Sequence, residues 1–152
     1  MQTKHVALHV PDLQQAEEYY QHVFDLDVVT REALTNARLT DDERWAQLPH
    51  TATWDDARLA GLEIQMVGLR RDDLLLALFP GDPQPGTVFL IAITASAEEV
   101  TSVRDRLPAD TPVEADQADA LTFIDPFGFR WQLCGLGFSG PGDRHGRWLQ
   151  FP

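Results

Sequence analysis

Asp125-Pro126-Phe127-Gly128-Phe129-Arg130-Trp131-Gln132-Leu133 is the stretch whose reading decides the fold. It lies between Leu121-Thr122-Phe123-Ile124 and Cys134-Gly135, so two apolar-rich runs meet at an Asp-Pro-x-Gly turn. Proline presets φ in such a turn and glycine accepts a positive one, which predicts a β-hairpin. Alternation along the second arm sends Phe129, Trp131 and Leu133 to one face and Arg130, Gln132 and Cys134 to the other. A polar row on a strand otherwise fit for burial points to the wall of a pocket. The competing reading is an outer strand whose polar face meets water.

Working outward, the 152 residues and 43% apolar content suit a single domain with a sizeable core. The one cysteine, Cys134, has no partner in the chain, and the N-terminal residues lack the continuous apolar run of a leader or membrane span. The expectation is a soluble, cytoplasmic protein. Acidic residues number 24 against 12 Lys and Arg, a net charge of −12, which disfavours nucleic acid and anionic membranes as partners. The acidity says little about a substrate.

Lys4 to Val10 reads as a strand, with Asp12 placed to cap the helix that follows. Leu13, Ala16, Tyr20, Val23 and Phe24 form that helix's apolar stripe, while Gln14, Glu17, Glu18 and Gln21 are expected to point away. Leu26 to Ala33 is a second strand. Thr40-x-x-Glu43 and Thr53-x-x-Asp56 have the form of capping boxes and predict short helices over Asp41 to Leu48 and Trp54 to Ala60. This helical insertion, about residues 35–61, brings Trp45, His50 and Trp54 close in sequence, as a surface elaboration or as a lid or subunit contact. Leu62 to Leu69 and Asp73 to Phe79 form a hairpin. Residues 81–86, rich in proline and glycine, can hold neither helix nor strand and read as a linker.

The second half repeats the first: a strand over Thr87 to Thr94, a capping box Ser96-x-x-Glu99, a helix stripe of Val100, Val103 and Leu107, then further strands. Each half therefore reads strand, helix, three strands. The fold class is α+β, with tandem βαβββ modules over residues 1–80 and 87–135 and a C-terminal tail over 136–152, anchored by Trp148 and Phe151.

The Asp-Pro-x-Gly-aromatic hairpin resembles the closing strand of the vicinal-oxygen-chelate superfamily, the glyoxalase, bleomycin-resistance and extradiol-dioxygenase group. His5-Val6-Ala7-Leu8-His9-Val10-Pro11-Asp12-Leu13, with Ala16-Glu17-Glu18-Tyr19-Tyr20 and Val23-Phe24, resembles its first strand and helix. The resemblance implies a curved eight-stranded mixed sheet around a central pocket. It also implies, in the metal-dependent members, a divalent ion held by a His on the first strand of one module and a Glu on the last strand of the other. His5 matches the first position. Gln132 stands in the second, and Phe89 stands where a further His ligand is often found. Leu74 to Phe79 offers no donor side chain, so His5 and Gln132 supply two ligands at most where three or four are needed.

Other catalytic signatures are absent from the sequence: there is no nucleophile elbow, phosphate-binding glycine loop, paired cysteines or HExxH. His22 near the end of the first helix reads as a solvated histidine, and Cys134 as a small buried residue. Catalytic residues are unassigned. The expected ligand pocket comprises His5, Ala7, Phe89, Ile91, Arg130 and Gln132, a mostly apolar wall with a few polar handles.

The first functional expectation is a non-metal or weakly metal-binding protein that holds a small, largely apolar or aromatic ligand. The alternative is a lyase, isomerase or dioxygenase using Fe, Mn, Ni or Zn, with Glu63 or His50 completing a site with His5 and Gln132. A structural or regulatory partner domain is the third. A homodimer is expected, and Arg130 would grip an anionic ligand group if no acidic side chain of the protein faces it.

Overall fold

The structure is a computed structural model that describes residues 5–34 and 45–135. The chain divides into two compact units between Thr87 and Val88.

The first unit contains β1 (Val6–Val10), α1 (Leu13–Phe24), β2 (Asp27–Leu34), β3 (Trp45–Gln47), α2 (Trp54–Leu59), β4 (Ile64–Arg71) and β5 (Leu74–Pro80). Its sheet has the order β1-β5-β4-β2-β3, with β1 parallel to β5 and the other pairs antiparallel. The Asp12 side chain caps α1 by accepting from Gln15 N at 2.9 Å. The stripe of Leu13, Ala16, Tyr20, Val23 and Phe24 is buried, and α1 packs on β2, β4 and β5. The helix stops at Asp25, whose φ of 56° and ψ of 47° put it in the left-handed cap conformation that glycine more often supplies.

Glu17 corrects the sequence reading. It does not point away but lies buried in the same face, where Arg31 donates Nε and Nη2 to its two carboxylate oxygens and Nη1 to the carbonyl of Ala52. Hydrogen bonding to Glu17, aided by its charge, raises the Arg31 pKa above the ordinary value despite partial burial. The pair ties α1, β2 and the segment before α2 together.

The second unit contains β6 (Ile91–Thr94), α3 (Ala97–Arg106), β7 (Val113–Gln117), β8 (Ala120–Ile124) and β9 (Arg130–Cys134). The sheet order is β6-β9-β8-β7, again with the first strand parallel to the last. The expected capping box of Ser96 and Glu99 starts α3, whose own Val100 and Val103 are buried. Leu121, Phe123, Trp131 and Leu133 complete this core. With β3 and α2 set aside, both units have the same βαβββ order, as the sequence predicts, and the same strand pairing.

Two expectations are revised. The described residues hold nine strands in two sheets rather than eight in one, because Trp45–Gln47 is an edge strand paired with β2 and not part of a helix. The rest of the helix expected over Asp41 to Leu48, up to residue 44, lies outside the described residues, as does the tail over 136–152. The strand expected over Thr87 to Thr94 begins only at Ile91, where its ladder with β9 starts opposite Trp131.

Candidate functional site

The closing hairpin is organised by one buried carboxylate. Asp125 Oδ1 accepts from the backbone N–H groups of Phe127 and Phe129, both at 2.9 Å, and Oδ2 accepts from the Trp131 indole at 2.8 Å. Gly128, at φ 87°, completes the turn by donating to the Asp125 carbonyl. The Trp131 ring is thereby fixed inside the unit, and strand alternation leaves Arg130, Gln132 and Cys134 half-buried on the opposite face.

The parallel register sets Ala92 beside Gln132, Thr94 beside Cys134 and Ile91 beside Trp131. Ile91 therefore belongs to the face covered by α3, which corrects its assignment to the Gln132 face; Ala92 occupies that place. The physical cause is a one-residue difference between the units. In the first, the buried Val10 is separated from the cap Asp12 by Pro11, whereas in the second the buried Ala95 directly precedes the cap Ser96. Alignment by caps shifts the strand by one and reverses its faces.

Phe89 precedes β6 and is 76% exposed, yet the Arg130 guanidinium lies 5.1 Å from its ring centroid. Two residues expected to share a site are thus in contact. Glu114, unforeseen in the sequence reading, accepts from Arg130 Nη2 at 2.8 Å. It lies at a register shift in the β7–β8 pairing, a break in alternation that local pattern does not announce. An acidic side chain does face Arg130, so the condition for an anion-gripping role is not met.

In the first unit, His5 is exposed just before β1, and Ala7 is exposed opposite Ala77. The face away from α1 carries a transverse row that the sequence reading missed. His9 pairs with Phe79, Met66 with Glu32 and Glu32 with Gln47, while Val67 opposite Leu78 places Met66 next to Phe79. The Phe79 ring centroid lies 6.3 Å from that of His9 and 6.4 Å from that of Trp45, the latter edge-on. Glu32 accepts long hydrogen bonds from Thr30 Oγ1 at 3.3 Å and Gln47 Nε2 at 3.5 Å. Gly68 keeps this surface close to β2, because a Cβ there would meet Thr30 Cγ2 at 2.8 Å.

Glu63 and His50 lie apart. Glu63 lines an open groove of about 510 Å³ with Asp12, Trp54, Arg58 and Ile64, whereas His50 lines a smaller cavity of about 70 Å³ beside Val28 to Arg31. Among the described residues, no three His, Cys, Asp or Glu side chains come together. On the strands where the metal-dependent members carry their donors, the faces away from the helices hold Ala7 and His9 on β1, Ala77 and Phe79 on β5, Ala92 and Thr94 on β6, and Arg130 and Gln132 on β9. None of these is a carboxylate, so they do not fit a divalent ion that needs charge neutralisation.

Helix-backed βαβββ units repeated in tandem define a paired-module α+β protein. Residues 2–133 match the family model described as Glyoxalase/Bleomycin resistance protein/Dioxygenase superfamily, and the chain belongs to that superfamily. No curated protein sequence matches it significantly. Among solved structures it is similar to the fosfomycin resistance protein FosX from Listeria monocytogenes at pH 6.5, with 15% identity over 95% of this chain and 97% of that one and a TM-score of 0.61. FosX from Mesorhizobium loti is 14% identical over 90% and 93% of the two chains, with a TM-score of 0.60. A Listeria FosX structure complexed with Mn(II) and a sulfate ion is 15% identical over 90% and 93%, with a TM-score of 0.59.

Proposed function

We propose that this chain is a ligand-binding member of the superfamily with a degenerate metal site, holding a small, largely apolar or aromatic molecule against the sheet faces turned away from the helices. The observation that carries this reading is the donor set. Gln132 stands where the metal-dependent members carry Glu, and Ala92 and Thr94 occupy the equivalent face of β6. Trp45, Phe79, Met66 and His9 give the first sheet an apolar and aromatic surface of the kind a small-molecule site needs.

The second reading is a metal-dependent lyase, isomerase or dioxygenase, favoured by the similarity to a FosX structure that holds Mn(II). Metal analysis of protein purified without chelator separates the two. The proposal expects well under one equivalent of Fe, Mn, Ni or Zn, unchanged in His5→Ala. Near-stoichiometric metal that disappears in His5→Ala establishes the second reading instead. A thermal-shift panel of aromatic and amphiphilic small molecules tests the ligand directly. No stabilisation by any of them, with a tight complex recovered from lysate, would favour a partner domain.

A further inference from the structure

We infer that the ligand held by the first unit carries a cationic group, an ammonium or amidinium, next to its apolar or aromatic body. This rests on the ligand-binding reading above and names the chemistry of one part of that site. Glu32 stands within the transverse row, half-buried, between Met66 on one side and Gln47 on the other. Its hydrogen bonds come from a hydroxyl and an amide, both longer than an ordinary charge-assisted bond, and among the described residues no Lys, Arg or His pairs with it. The neighbouring cation, Arg31, points to the other face and is occupied by Glu17.

The surroundings of Glu32 match one ligand chemistry. Directly opposed side chains on paired strands sit about 5 Å apart at Cβ, and diagonal neighbours about 7–8 Å. Glu32 is thus within one side chain of Trp45, the diagonal neighbour on β3, and Trp45 meets Phe79 edge-on. A carboxylate diagonal to Trp45, whose ring meets Phe79 edge-on, offers an ion pair and a cation–π face to one cation, while Met66 and the rings take the apolar body. An anionic group there would face the Glu32 carboxylate, and among the described residues no Lys or Arg pairs with that carboxylate to offset it. Arg130 in the second unit is already matched by Glu114 and Phe89, so it supplies no stronger case for an anion.

The test compares three probes of one shape: phenethylammonium, 2-phenylethanol and 3-phenylpropionate, titrated into the full chain by NMR. The expected order is ammonium tightest, by at least tenfold over the alcohol, with phenylpropionate weakest. Added salt should narrow the gap. Glu32→Gln, which keeps an acceptor for Thr30 and Gln47, should reduce the ammonium preference to within twofold while leaving alcohol affinity and the melting temperature unchanged. Trp45→Leu should weaken the ammonium and the alcohol together.

Alcohol and ammonium binding equally tightly, or a preference that survives Glu32→Gln, overturns the cation inference and leaves the apolar-ligand reading standing. Failure of all three probes at millimolar concentration counts against both.

Discussion

Asp125 shows how far one side chain can specify a strand. The carboxylate satisfies two backbone N–H groups of the turn and the Trp131 indole, all in a buried setting where water cannot replace it. Removing it strands three donors, and each unsatisfied buried group costs about 1–3 kcal/mol. Asp125→Ala should therefore destabilise the protein by roughly 3 kcal/mol or more, read as a lower urea midpoint with an unchanged slope. Asp125→Asn keeps one acceptor oxygen but turns an N–H group toward other donors, so it should cost nearly as much. A loss below about 1 kcal/mol for the alanine variant would show that the turn holds without it. The turn was legible in the sequence because its chemistry is local. Glu17 was misread for the opposite reason: helical spacing puts it on the stripe, three residues before Tyr20 and four after Leu13, but its partner Arg31 is fourteen residues away and leaves no local trace.

At the scale of elements, two of the three capping-box readings fall on described helices and one misled. The boxes at Thr53 and Ser96 both form, with side chain and backbone bonded reciprocally in each. The tryptophan at 45 was read as helical from a similar box upstream, yet cross-strand pairing with Leu34 sets its conformation. A strand's partner is a tertiary fact, and the pattern of three residues cannot declare it. The Thr53 box also carries a pH signature. Bonds from the Thr53 backbone N–H, and secondly its hydroxyl, hold the Asp56 carboxyl below the ordinary aspartate value. A depressed folded pKa means that the cap's contribution is full above the unfolded value and is lost as pH falls through the lower folded one. Amide exchange in α2 should accelerate as pH falls below the ordinary aspartate value of about 4, relative to intrinsic rates, and more than in α1. Asp56→Asn should abolish that pH dependence. Equal acid sensitivity of the variant would show that another group governs the helix end.

For the molecule as a whole, the tandem order of elements was readable because strand and helix periods, caps and the proline-rich break agree with one another. The candidate site was readable only in part. Arg130 and Phe89, both assigned to the pocket, are in contact, but the Ile91 face was reversed by a single residue between strand and cap. The row from His9 to Gln47 was hidden because it runs across strands rather than along the chain. Association is the property in which the whole charge matters. We propose a homodimer, as the family resemblance implies, but with a net charge of −12 on each chain two copies repel until salt screens them. The Debye length falls from about 30 Å at 0.01 M salt to about 8 Å at 0.15 M, so the repulsion should weaken sharply over that range. Light scattering at tens of micromolar should give a mass approaching twice the 17.1 kDa of the chain at physiological salt, and a lower weight average at low salt. A mass near 17.1 kDa at both would reject the dimer. A full dimer mass at both would keep it and show instead that the acidic side chains lie away from the contact.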